Sequence, residues 1–351
     1  MPESRRRLRD RSLVQLTLVR YLEFLREPEA MFWVFVFPIL LTAGLGLAFR
    51  SRPPEQSSIG LLERPNGESL AASLDGDDRI EVQRMADSAA AQALRTGTIA
   101  VLIVPTDSGV TYRFDNTRPD ARIARELVDD VLQRAAGRTD AVKVREEQVR
   151  ERGSRYIDFL VPGLLGMNLM GTGIWGVGFA IVDHRRKKLL KRLIATPMSR
   201  AEYLLAFMLS RFGWLILEVA VLVGFGVFVF GVPLRGSLLT LSLVCALTGF
   251  AFSGVGLLVA ARPRTIEAAS GIMNLVMMPM WIFSGVFFNA SNFPDAMQPF
   301  VQALPLTAAV DALRATMLEG ASLATLAPEL AIVAAWMFGS FIVALKIFRW
   351  Q

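Results

Sequence analysis

The chain has 351 residues, 53% hydrophobic and 20% charged, with a formal net charge of +6. Its single cysteine, Cys245, excludes an internal disulfide framework and a cysteine-based zinc site, and its single histidine, His184, excludes histidine clusters. Apolar residues are gathered in blocks free of Asp, Glu, Lys and Arg, at 159–182, 236–261 and 268–294. Each block exceeds the roughly 20 residues that cross the hydrocarbon of a bilayer, which argues against a soluble enzyme.

In chain order, residues 1–30 read as an N-terminal segment ending in an amphipathic helix. Within 12–26, Leu13, Leu16, Val19 or Arg20, and Phe24 fall near helical spacing, and Leu18, Leu22 and Leu25 widen the apolar face. Arg20, Glu23 and Arg26 lie opposite, and Glu27-Pro28 breaks the helix. The pattern fits a helix lying in the membrane interface; the alternative is a plain extension of the first span. That span is 31–49, within a segment 31–50, and reads as a retained anchor, since Phe49-Arg50-Ser51 is not a small-residue cleavage site. Pro38 is tolerable there, because neighbouring helices can satisfy the freed backbone groups.

Residues 51–157 read as a folded α/β domain. Short strands are expected at 58–62, 80–84, 98–104 and 110–114, and helices at 86–94 and from Arg118-Pro119-Asp120 to about Ala136. Val142, Val144 and Val149 suggest a last extended piece. Five more spans follow in 158–351: about 159–182, 204–230, 236–261, 268–288 and 323–345, the last with Glu329 near its end. Residues 289–320 are apolar but broken by Pro294, Pro299 and Pro305 and read as a re-entrant outer segment, with Asp311 and Arg314 at i, i+3.

The expected fold is therefore a polytopic α-helical membrane protein, with six transmembrane helices and an extracytoplasmic α/β domain between helices 1 and 2. Lys and Arg set the orientation. Seven lie in 1–30 and seven in the loop 183–200, two more (Arg262, Arg264) between spans four and five, and two (Lys346, Arg349) at the C-terminus. Only Arg235 and Arg314 fall in short segments on the other side. Both termini are thus expected in the cytoplasm and 51–157 outside. The basic charge records topology and implies no nucleic-acid partner.

Two groups of residues stand out. In the loop 183–200, Leu189, Leu190, Leu193 and Ile194 form one helical stripe among Arg185, Arg186, Lys187, Lys188, Lys191 and Arg192. An anchoring role explains the charges but not the stripe, which needs lipid or protein to cover it. Within span three, Arg211 and Glu218 lie on one face about 10 Å apart along the axis, a separation read as too long for a direct ion pair without an intermediary. Charges at this depth cost roughly 2.5–3.5 kcal/mol each, so both should face protein or a wet cavity, with Arg211 close enough to the membrane surface to snorkel. Helix packing and a translocation path are both open to Glu218, and Asn168 and Asn274 are weaker cases of the same kind. Span two carries Gly163, Gly166, Gly171, Gly173, Gly176 and Gly178, which permit close helix approach.

The order of segments resembles the ABC-2-type permeases, the membrane subunits of ATP-binding-cassette exporters. The resemblance is carried by FLREPEAMFWVFVFPILL from Phe24, YIDFLVPGLLGMNLM from Tyr156, RRKKLLKRLIATPMSRAEYLLA from Arg185, FSGVFFNASNFP from Phe283 and LPLTAAVDALRATML from Leu304. It implies that Arg185–Ile194 is a coupling helix docked on an ATPase. It also implies that the N-terminal amphipathic helix is an interfacial elbow and that 289–320 holds re-entrant helices. The sequence has no G-x-x-x-x-G-K-[ST] phosphate loop. No cofactor is then expected on this chain; ATP and Mg belong to the partner. The resemblance further implies a bacterial inner-membrane homodimer with two ATPase subunits, exporting a drug-like or lipid-like molecule in the manner of multidrug efflux. The alternatives are an ATPase-coupled complex doing assembly or mechanical work, and a membrane-embedded enzyme, for which one histidine and no paired carboxylates offer little.

Overall fold

The computed structural model describes residues 12–48, 56–64, 67–106, 109–139, 153–189, 200–263 and 265–347. The chain divides into two compact units, one of residues 51–149 and one of 1–50 together with 150–351.

The larger unit begins with two separate helices, α1 (Ser12–Leu25) and α2 (Pro28–Ala48). Pro28 opens α2 in its first turn, where a missing N–H costs no hydrogen bond. α1 is therefore not an extension of the first span. Leu18, Val19, Leu22 and Leu25 are exposed along it. Tyr21 and Phe24 turn inward onto Trp214, with ring centroids 5.5 and 4.5 Å away. Gly213 makes room for Tyr21, since a Cβ there would overlap the phenol oxygen. Within α2, Phe32–Val36 form a π-helical turn. It precedes Pro38, which cannot donate to the Val34 carbonyl four residues back and whose ring crowds it; the wider turn accommodates the ring.

The smaller unit is an α/β fold. Its sheet has the order β2-β1-β3-β4, built from β1 (Ser57–Leu62), β2 (Ile80–Met85), β3 (Val101–Thr106) and β4 (Gly109–Phe114). β1 is parallel to β2 and β3, and β3 pairs antiparallel with β4. Helices α3 (Gly67–Leu74) and α4 (Asp87–Thr96) make the crossovers, and α5 (Pro119–Ala135) follows β4. The two-residue strand period sorts the core. Ile59, Leu61, Val101 and Ile103 pack with Leu74 and Val128 on one face, while Leu62, Leu102 and Val104 pack with Ala90 and Ile99 on the other. Coverage of both faces explains why Val101–Val104 is a continuous buried run rather than an alternating one. Burial and the neighbouring Asp129 push the Tyr112 phenol up to about 12, and its hydroxyl donates to the Asp129 carboxylate at 3.1 Å. The helix α3 was absent from the sequence expectation: GESLAASL is short and carries only two large apolar residues. The expected piece at Val142, Val144 and Val149 lies outside the described residues.

The larger unit continues with α6 (Tyr156–Arg186), α7 (Arg200–Phe230), α8 (Leu238–Ala260), α9 (Ile266–Phe283), α10 (Gln298–Ala303), α11 (Pro305–Arg314) and α12 (Ala327–Ile347). Among the described residues, six helices are long and apolar enough to cross a membrane: α2, α6, Leu209–Phe230 of α7, α8, α9 and α12. α6 and α8 are the central pair. Their backbones touch: a Cβ on Gly256 would meet the carbonyl oxygens of Ile174 and Gly173 at 2.8 and 2.9 Å, and one on Gly173 would meet Phe252 Cβ at 2.7 Å. The glycine-rich span thus serves close packing. α9 ends at Phe283, earlier than the hydropathy-based limit of 288, because Ser284 closes it and Gly285 follows at φ +73°. Hydropathy does not separate an apolar helix from an apolar turn. α11 is buried along Pro305–Val310 and lies against α6, where Gly166 leaves space for Val310.

Two arginines close the ends of neighbouring helices, where terminal carbonyls lack helical partners. Arg155 donates to the carbonyls of Phe230 and Gly231 at 3.0 and 3.2 Å, past the end of α7. It also pairs with the wholly buried Asp158 at 2.7 Å, and that hydrogen bond raises the guanidinium above its usual range. Arg314 donates to Gly285 O at 2.5 Å and Phe159 O at 3.2 Å, lying 3.5 Å above the Phe159 ring. Asp311, at i, i+3 from it, is only a distant 3.9 Å contact.

Candidate functional site

The first candidate is the segment after α6. The helix does not stop with its last apolar residue but runs through Asp183, His184, Arg185 and Arg186, turning at Lys187 and Lys188. Cations in a last turn favour the negative end of the helix dipole. Lys188 takes φ +56°, the left-handed region that ends a helix. The charges at 183–186 are therefore the last turn of a span, not the start of a loop helix. Propensity explains the difference: Arg and Lys are good helix formers, so charge marks where the hydrocarbon ends, not where the helix ends. Asp183 holds Lys187 at 2.8 Å and Arg186 at 3.4 Å. His184 Nδ1 lies 3.3 Å from Arg20 Nη2, joining α6 to α1. Arg20, assigned to the polar face of α1 from spacing, also pairs with Glu23 at 3.1 Å.

Arg185 turns inward. Its Nη1 donates to Ala260 O at 2.9 Å and Pro263 O at 2.6 Å, and its Nη2 to Ala261 O at 3.2 Å. Its guanidinium is thus spent on the end of α8, unlike the exposed Arg186 and Lys187. Leu189 is half-buried. Leu190, Arg192, Leu193 and Ile194 lie outside the described residues.

The second candidate is the set of buried polar groups. Arg211 Nη2 donates to Glu218 Oε2 at 2.9 Å, and the Glu218 side chain is wholly buried. This corrects the expectation that the two stand too far apart for a direct pair, and that Arg211 snorkels. The arginine chain, extended along the helix, covers most of the rise, so it points at the carboxylate. Thr172 of α6 completes the triangle, with its hydroxyl 3.0 Å from Glu218 Oε1 and also bonded to Arg211. Asn168, also buried, donates to Val34 O at 3.3 Å. This is the carbonyl that Pro38 leaves without its helical donor. Asn168→Ala is expected to destabilise by about 1 kcal/mol, as for interhelical hydrogen bonds in membranes, measured by thermal unfolding in detergent. Pro38→Ala, which restores the helical donor, should reduce that loss. Asn274 lies apart from these groups, on an exposed face of α9.

Thr172 was not anticipated, and no local signal marks it: it acts through a residue 46 positions away. Arg155 and Asp158 did carry a signal, since a carboxylate three residues past a helix start can reach back to the backbone there: Asp158 accepts from the Arg155 backbone N–H at 3.2 Å as well as from its guanidinium.

Comparison with known proteins gives these features a setting. The family model described as "ABC-2 family transporter protein" matches residues 29–346. The chain is 27% identical over 165 residues to the "Probable multidrug ABC transporter permease YbhS" of Escherichia coli (strain K12), covering 46% of this chain and 43% of that protein. It is 28% identical over 178 residues to "Nodulation protein J" of Bradyrhizobium diazoefficiens, covering 48% and 65%. It is 27% identical over 186 residues to the "Inner membrane transport permease YhhJ" of Escherichia coli (strain K12), covering 52% and 49%. In each case the match spans less than two thirds of the relative's own length. With the family match running through all six helices of spanning length among the described residues, the chain belongs to the ABC-2 family of transporter proteins.

Proposed function

We propose that the chain is the permease half of an ATP-driven exporter of hydrophobic or amphiphilic molecules. It works as a homodimer with two ATPase subunits in a bacterial inner membrane, with both termini in the cytoplasm and 51–157 outside. The observation that carries this is the basic segment after α6. Its apolar stripe Leu189, Leu190, Leu193 and Ile194 follows directly on a span whose terminal charges are already engaged. The charge asymmetry of 1–30 and 183–200 supports the orientation. Asn274, a carboxamide on the exposed apolar face of α9, supports a second copy covering that face. The complete burial of Glu218 and its pairing with Arg211 support a packing role for that pair.

The test is docking. Leu190→Asp with Leu193→Asp should abolish co-purification of the ATP-binding subunit, at least tenfold below wild type, while membrane insertion is retained. Full assembly of that variant would remove the segment from the interface. Uptake of an amphiphilic dye into inverted vesicles containing both subunits, dependent on ATP, tests the direction.

A further inference from the structure

The Arg185 guanidinium does more than end α6. α8 stops at Ala260, and Pro263 cannot supply an N–H to the terminal carbonyls. Arg185 supplies donors instead, to three carbonyls of one short turn at 2.6–3.2 Å. Higher up, α6 and α8 are in backbone contact at Gly173 and Gly256. The two helices are therefore fixed to each other at two levels, and α9 begins at Ile266, three residues beyond Pro263. A planar fork with several fixed donors suits this task better than an ammonium does.

We propose that Arg185 is a positioning residue that locks the loop between α8 and α9 to the end of α6, so that movement imposed on the coupling segment reaches α9. The idea rests on the coupling role proposed above. It makes α6, α8 and the start of α9 one moving body, with the turn 261–263 as its joint.

The experiment uses the full permease–ATPase complex in lipid nanodiscs, with spin labels at Phe179→Cys on α6 and Ala268→Cys on α9, both exposed positions. Cys245 is buried and stays unlabelled. Distances are read without nucleotide and after trapping with ATP and vanadate. With Arg185 present, the distance distribution should be narrow and the same in both states. With Arg185→Gln it should widen at least twofold, and its mean should differ between the states. Arg185→Lys, which keeps the charge but loses the fork, should give an intermediate width and carries the test if the glutamine variant does not accumulate. An arginine of purely structural value would lower the melting temperature and leave the distance independent of nucleotide. A narrow, nucleotide-independent distribution in both variants overturns the clamp alone. Failure of the wild-type chain to bind its ATPase overturns the coupling reading, and the clamp with it.

Discussion

Arg211→Met is expected to destabilise the helical unit by about 3–5 kcal/mol, the cost of leaving one partner of a buried ion pair behind. Glu218 is wholly buried, and its remaining contact would be the Thr172 hydroxyl, a neutral group. Combining Arg211→Met with Glu218→Leu should recover most of the loss, because two charges leave the membrane together and Thr172 keeps its bond to Asn168 O at 2.8 Å. Unfolding in a denaturing detergent series reads both variants. A single variant as stable as wild type would show that the pair is hydrated in the membrane. Transport in the double variant then separates the two roles open to Glu218: a packing pair can be replaced by apolar side chains without loss of transport, and a pathway carboxylate cannot.

Gly256→Val is expected to cost at least the top of the roughly 1–3 kcal/mol range for overpacked cores. The new Cβ would lie 2.8 and 2.9 Å from two carbonyl oxygens of α6. Backbone atoms cannot swing aside as a side chain does, so the central helices must separate. Gly176→Ala on α6 is the matched control: nothing lies within 4 Å of its Cβ position, and removing a helical glycine should be neutral or stabilise by up to about 1 kcal/mol. Thermal unfolding in detergent compares them. Equal midpoints for the two variants would mean that α6 and α8 are not held in contact at Gly256.

The six helices of spanning length among the described residues were legible because a bilayer imposes a length and an apolar composition that sequence displays directly. Their ends were less so. α6 runs on to Arg186 because arginine is a good helix former, and α9 stops at Phe283 because of the Ser284-Gly285 turn, which hydropathy does not register. In the α/β unit, strands with branched apolar residues stood out, while the short helix Gly67–Leu74 carried too weak a pattern.

The sequence by itself determined the number of spans, the placement of the basic residues, the family and the residues worth asking about. It could do so because burial in lipid and local periodicity are properties of contiguous segments. Only the tertiary structure decided what each polar side chain does. Arg211 meets Glu218 and Thr172, Asn168 serves the carbonyl orphaned by Pro38, and Arg185 serves the end of α8. These partners lie up to 134 residues apart. The physical demand they answer, a donor for every buried acceptor, is set by where the packed helices leave carbonyls and charges unpaired, and no local pattern encodes that.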